Sequence, residues 1–242
     1  MNFIFDVDDT LYDLTQPFRK TVERLWGNQF AVDVEQLFTL TRKHGDALFP
    51  KIMSGEITLD DAGALRVCLA MEELGYSIDP KEAQRFQQCY RQNEYVISLS
   101  TKMRNLLDDL KKLNQTLGVL TNGLTPHQKK KIDSLGLEQW VKKEYIFISE
   151  AIHASKPERK AFDHVETIMG LNKSETFYIG DSPEHDVKGA IGAGWHMVFF
   201  NRRHRDISTL KEKPDFMVTT EAELAQLIRR IVKENSQSKK LS

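Results

Sequence analysis

Residues 2–5, NFIF, form an apolar run bounded by charge, the pattern of a short buried strand. From about Thr15 to about Tyr95 the rhythm is helical instead. In TQPFRKTVERLWGNQF, Phe18, Val22, Leu25 and Trp26 share one face behind a start at Thr15. TLDDAGALRVCLAMEELG is framed by Thr58 as N-cap, Asp60 and Asp61 in the first turn, and Gly75 as the stop. DPKEAQRFQQCYRQNEY opens with Asp79 and Pro80 in cap and first-turn positions.

After Ser98 strands and helices alternate. TKMRNLLDDLKKLN reads as a helix and TLGVLT as a strand. TPHQKKKIDSLGL follows as a helix with Thr125 as cap and Pro126 in its first turn. The strands EYIFIS, ETFYIG, HMVFF and DFMV are separated by the helices PERKAFDHVETIMG and SPEHDVKGAIGAG, and EAELAQLIRRIVKE is the last helix. Such alternation predicts parallel βαβ units with right-handed crossovers. The expected fold is α/β: a Rossmann-like doubly wound parallel sheet over 1–12 and 97–242, with an α-helical cap domain inserted at 13–96. The polar tail NSQSKKLS is expected to fray, and no internal repeat is evident.

Composition narrows the class without choosing a function. Of 242 residues, 40% are hydrophobic and 29% charged, with a formal net charge of −1, a globular balance that favours neither a nucleic-acid polymer nor a membrane surface as partner. No apolar run approaches a membrane span and the start lacks a basic, then apolar, leader, so a cytoplasmic location is expected. Cys68 and Cys89 lack metal-ligand spacing and read as unpaired thiols. Lys129–Lys131 reads as a solvated helix face.

The chemistry gathers at strand ends, where open α/β sheets bind ligands. Asp6 and Asp8 follow the first strand at i and i+2, so on extended backbone both face one side. Carboxylates this close need a cation or a proton, and Asp181 and Asp186 arrive from another strand end. Asp9, and Asp186 too, also fit roles as cap or turn residues. Oxygen ligands without His or Cys select a hard cation, with Mg²⁺ the natural one near phosphate. VLTNG adds the Thr121 hydroxyl and amides at Asn122 and Gly123, and SKP adds the positive charge of Lys156. These are the parts of phosphoryl transfer: an attacking carboxylate, compensating cations, and donors for the equatorial oxygens.

The ordered set DVDDT, LTNG, SKP and GDSPEHD resembles the haloacid dehalogenase superfamily, specifically its phosphatases with a type I helical cap. The resemblance implies that Asp6 is the nucleophile that becomes an aspartyl-phosphate and Asp8 the general acid/base. It implies Mg²⁺ held by Asp6, by the backbone carbonyl of Asp8 and by Asp181, with Asp186 an acid acting through water. Thr121, the Asn122 amide and Lys156 would bind the phosphoryl group. Asp9 and His185 match no required role. Dehalogenases of this superfamily lack an acid two residues after the nucleophile, so Asp8 favours phosphate monoester hydrolysis of a small phosphorylated metabolite. The segment LFPKIMSGEITLDDAGALR looks like the caps of nucleoside 5′-monophosphatases, which share the GEIT step and an arginine at the place of Arg66. A nucleoside 5′-monophosphate is therefore the expected substrate. A sugar phosphate or phosphoglycolate is the alternative, with a phosphomutase or a non-catalytic binding module ranked below it. Phe49 offers a ring to stack on a base, and His44, Lys51 and Arg66 offer polar contacts to the rest of the substrate.

Overall fold

The computed structural model describes residues 1–241, with side chains through residue 237. It divides into two compact units, Met1–Asp13 with Ser98–Ser242, and Leu14–Ile97. Strand β1 (Asn2–Phe5) buries Phe3, Ile4 and Phe5 and leads into the loop that carries the first acids.

The second unit is helical: α1 (Gln16–Leu25), α2 (Val34–Met53), α3 (Leu59–Glu73) and α4 (Pro80–Asn93). Its starts follow local chemistry. Thr58 and Asp79 accept the N–H groups of Asp61 and Lys81 as expected, and Asp33 caps α2 through Gln36. Thr15 stands at the start of α1, but its hydroxyl donates to Glu35 at 3.1 Å instead of capping. Apolar faces meet in an aromatic core, with the Trp26 and Phe86 rings stacked 4.6 Å apart and Phe18 edge-on to Phe86. Cys68 and Cys89 are both free thiols.

From Ser98 the first unit continues with α5 (Thr101–Lys112), β2 (Thr116–Thr121), α6 (Thr125–Leu135), β3 (Ile146–Ile148), α7 (Ser149–Ile152) and α8 (Arg159–Met169). Then come β4 (Thr176–Gly180), α9 (Lys188–Ala193), β5 (His196–Phe200), β6 (Phe216–Val218) and α10 (Glu221–Leu241). In α5, Met103, Leu106, Leu107 and Leu110 are buried at i, i+3, i+4 and i+7, the stripe a sheet-covering helix requires. The six strands are parallel in the order β3-β2-β1-β4-β5-β6. The chain builds outward from β1 on one side, then returns to β1's other edge, so β1 and β4 flank the point where the order reverses.

Three local expectations change. Thr125 is the first helical residue of α6, Leu124 holds the cap position, and the Thr125 N–H is taken by Glu150 Oε2 at 2.7 Å. The helix expected from Ser182 begins as a wider π-helical turn, Pro183–Val187, before α9. The tail is helical through Leu241, and Ser242 lies outside the described residues. Among the described residues, no helix is long and apolar enough to cross a membrane.

Phe162 of α8 anchors the core of the sheet unit. It is fully buried, meets Trp195 edge-on at 5.3 Å and Tyr178 at 5.7 Å, and occupies the space that a Cβ on Gly189 would need. Truncation to alanine should cost about 3–5 kcal/mol, read as a lower urea midpoint by tryptophan fluorescence. A loss under about 1 kcal/mol would contradict this packing role.

Candidate active site

Lys156 is the electrostatic centre. Its ammonium is buried and donates to Asp6 Oδ1 at 2.6 Å, Asp186 Oδ1 at 2.7 Å and the Tyr178 hydroxyl at 2.8 Å. Asp6 emerges from β1, Asp186 from the π-helical turn after β4, and Tyr178 from β4 itself. Burial disfavours the Lys156 ammonium, but the Asp186 and Asp6 charges and hydrogen bonds outweigh it and hold the group above its usual range. Tyr178 in turn donates to the Leu120 carbonyl at 3.0 Å, and burial beside the Asp186 and Asp6 charges holds its phenol protonated. Asp186 reaches the site because position 180 has no side chain: a Cβ on Gly180 would lie 2.4 Å from Asp186 Oδ2. That oxygen also accepts the Ser182 N–H at 2.9 Å.

Asp181, directly after β4, completes an acid cluster. Among the described residues, Asp6, Asp181 and Asp186 place carboxylate oxygens within 4.8 Å of one another. Burial, the Asp186 and Asp8 charges raise Asp6 to about 7 despite Lys156, and burial with the Asp6 and Asp186 charges raises Asp181 to about 8 despite Arg205. Arg205 meets Asp181 at both its carboxylate and its carbonyl, 3.0 Å each. An all-oxygen set with more negative charge than its lysine and arginine offset fits a hard divalent cation. Asp186, expected to act through water, sits within this cluster, whereas the Asp8 carboxylate does not.

Asp8 has its own cation. Lys131 Nζ donates to both carboxylate oxygens, at 2.8 and 2.9 Å, and the Tyr12 hydroxyl adds a bond of 2.5 Å. Burial pushes Asp8 up, but the Lys131 charge and the Lys131, Tyr12 and Gln128 hydrogen bonds win and hold it below the usual carboxylate range. This corrects the reading of Lys129–Lys131 as a solvated face: Lys129 and Lys130 are exposed, but Lys131 keeps only 7% of its surface. One turn earlier on the same face, buried Gln128 donates to Thr121 Oγ1 at 2.6 Å, the Asn122 carbonyl at 3.0 Å and Asp8 Oδ2 at 3.1 Å. Asn122 ties the site to the SKP loop: its amide nitrogen donates to the Lys156 carbonyl, and its oxygen accepts the Lys156 N–H, 2.9 Å each. Asp9 sits at φ +58° and takes a forked pair from Arg203, with Oδ1 at 2.6 Å and Oδ2 at 3.1 Å. Arg203 also pairs with Asp13.

Sequence reading missed Gln128, Lys131, Tyr178, Arg203 and Arg205. Only the three-residue spacing of Gln128 and Lys131 on one helix face carried a local signal. The four candidates of the helical unit stand as follows within that unit. His44 Nε2 lies 2.9 Å from Glu73 Oε2, and Lys51 pairs with Glu56 at 3.1 Å. Phe49 is 58% exposed on α2, so its ring has no core role. Arg66 packs over the Tyr90 ring at 5.8 Å and reaches Gln87 at 3.5 Å.

The family model for hydrolases of the haloacid dehalogenase-like type matches residues 1–194. The chain belongs to the haloacid dehalogenase-like hydrolases. Among relatives of this family, a glyceraldehyde 3-phosphate phosphatase of Methanopyrus kandleri is 25% identical, covering 96% of this chain and 98% of that protein. The pyrimidine 5′-nucleotidase PynA of Streptococcus pneumoniae is 24% identical, covering 96% of each. Among solved structures, the haloacid dehalogenase-type hydrolase YfnB of Bacillus subtilis, bound to magnesium, superimposes with a TM-score of 0.65 at 24% identity, over 93% of this chain and 97% of that one.

The raised acids give this hydrolase a defined pH response. Burial and neighbouring acids raise Asp6 to about 7 and Asp181 to about 8 against 3.8 as the ordinary value, so the stability these two acids contribute is lost as pH rises from about 4 to about 8. A divalent cation bound by the deprotonated cluster would offset that loss. Saturating Mg²⁺ should therefore raise Tm more at pH 8 than at pH 6, and equal shifts at the two pH values would contradict the assignment.

Proposed function

We propose that this chain is a Mg²⁺-dependent phosphate monoester hydrolase working through an aspartyl-phosphate on Asp6. Its substrate is a small phosphorylated metabolite, in the first place a nucleoside 5′-monophosphate. The observation that carries this reading is the Lys156 ammonium held 2.6 Å from Asp6 and 2.7 Å from Asp186, beside Asp181. It supports reading Asp6 as the nucleophile, Lys156 as its fixed cation and the surrounding carboxylates as a metal cluster.

In the first half-reaction an Asp6 oxygen bonds to phosphorus as the ester P–O bond breaks, and the leaving alkoxide takes a proton from Asp8. In the second, water attacks phosphorus, its proton passes to Asp8, and the Asp6–phosphorus bond breaks to release inorganic phosphate. The Lys131 pair favours the ionised Asp8 that receives this proton. A phosphate dianion bound nearby favours the protonated form that the first step consumes. Lys156 and the Thr121 hydroxyl hold phosphoryl oxygens. Asp6, Asp181 and Asp186, with the Asp8 carbonyl, would hold Mg²⁺, which would supply positive charge to offset the nucleophile and the phosphoryl group.

Similarity to the pyrimidine 5′-nucleotidase supports the nucleotide substrate. Similarity over the same share of the chain to the glyceraldehyde 3-phosphate phosphatase supports a triose or sugar phosphate as the second reading. Choice between them is assigned to the helical unit, through Phe49, His44, Lys51 and Arg66. A panel of nucleoside, sugar and triose monophosphates, ranked by kcat/KM with Mg²⁺, tests this. A preference for pyrimidine monophosphates supports the first reading, a preference for triose phosphate the second, and no hydrolysis of any monoester removes the phosphatase assignment.

The mechanism itself has two sharper tests. Asp6→Asn should lower kcat by several orders of magnitude with unchanged circular dichroism, since an amide oxygen is a poor nucleophile. Chelation should abolish turnover, and Mg²⁺ should restore it far better than Ca²⁺, whose longer bonds and looser coordination misplace Asp6. A folded Asp6→Asn with parental turnover, or full activity in excess chelator, would refute the mechanism.

A further inference from the structure

Lys131 and Gln128 stand on one buried face of α6, behind the groups that meet substrate in the scheme above. Burying a lysine is costly unless a charge meets it, and here Asp8 meets it with both oxygens, at 2.8 and 2.9 Å. The ion pair also fixes where the Asp8 carboxylate points. Gln128 acts on a second group. Its amide nitrogen donates to Thr121 Oγ1 at 2.6 Å, which uses that oxygen as acceptor and leaves the single hydroxyl proton of Thr121 to point elsewhere. The same nitrogen reaches Asp8 Oδ2 at 3.1 Å. The amide orientation follows from its neighbours: its nitrogen faces three acceptors, and its buried Oε1 has no partner.

We propose that the Gln128–Lys131 face of α6 is a positioning element that holds the proton-transferring carboxylate of Asp8 and aims the Thr121 hydroxyl at the phosphoryl group. It rests on the phosphatase reading and deepens it. Neither residue touches substrate in this scheme; each acts through the group it orients. The two therefore divide the kinetics. Lys131 governs the steps in which Asp8 moves a proton, first to the leaving alkoxide and then from the attacking water. Gln128 governs how tightly the phosphoryl oxygens are held before either step.

The test compares full-length Lys131→Met, Lys131→Arg, Gln128→Glu and the exposed-site control Lys129→Met, all with Mg²⁺. Parental hydrolysis of p-nitrophenyl phosphate is measured first; if the parent has none, the phosphatase reading itself falls. With an active parent, Lys131→Met should lower kcat for an alkyl monophosphate by about 100-fold. Its loss on p-nitrophenyl phosphate should be smaller, because that leaving group departs without a proton, and a burst of nitrophenol should show phosphorylated Asp6 accumulating. Lys131→Arg should recover most of the loss. Gln128→Glu replaces a donor by an acceptor, and should weaken inorganic phosphate binding by about 10-fold in calorimetry. Lys131→Met should leave that affinity within about twofold, and Lys129→Met should match the parent throughout. Where Lys131→Met does not fold, Lys131→Arg and Gln128→Glu decide. The inference is overturned if folded variants keep parental kcat and phosphate affinity, or if every variant loses activity on both substrates in proportion to its loss of Tm.

Discussion

A single buried ammonium organises the core of this hydrolase. Lys156 gives up water for three oxygens, and an uncompensated charge in that position would cost several kcal/mol. Each compensation comes from a different part of the chain: the end of β1, the interior of β4, and the turn beyond it. The sheet must therefore close in its observed order before the lysine is satisfied. Removing one carboxylate of such a buried set typically costs about 3–5 kcal/mol, so catalysis and folding lean on the same contacts. Gly180 belongs to this constraint, because only a missing side chain lets Asp186 approach.

Around that centre, four acids each take a separate cation. Asp6 has Lys156, which Asp186 shares; Asp8 has Lys131; Asp9 has Arg203, which Asp13 shares; and Asp181 has Arg205. This is how negative charge can crowd beside a buried strand. The compensation is uneven, and the unevenness has chemical meaning. Asp8 is held low by its lysine and by the Tyr12 and Gln128 hydrogen bonds, while Asp6 and Asp181 stay high because burial and mutual repulsion exceed what Lys156 and Arg205 return. The residual demand for positive charge lies at Asp6, Asp181 and Asp186, where a cation fits, and not at Asp8, the group proposed to transfer the proton.

The helical unit is stabilised independently. Its core of Phe18, Trp26, Phe86 and their neighbours uses none of the site residues, so its surface can vary without disturbing the acids. His44 and Lys51 already meet glutamates of their own unit, whereas Phe49 spends its ring on the surface.

Periodicity in the sequence determined the elements: the period-3.6 stripe of α5, the apolar run of β1, and the caps at Thr58 and Asp79 are encoded by residues a few positions apart. The acids at strand ends were legible for a related reason, since a carboxylate directly after a buried strand of an α/β alternation has one place to go. Which cation each acid receives was not legible. Lys129, Lys130 and Lys131 are identical in type, and only the turn of α6 against a carboxylate 123 residues away buries the third and leaves the others in water. Nor does the local pattern announce that Thr125 yields its cap position while Glu150 takes its N–H, or that a tyrosine in the middle of β4 supports the lysine of another loop. Short-range spacing decides helix and strand because the backbone repeats over a few residues. Pairing of buried charges is decided only in the folded chain, because the energy that selects it exists once water has been removed from both partners.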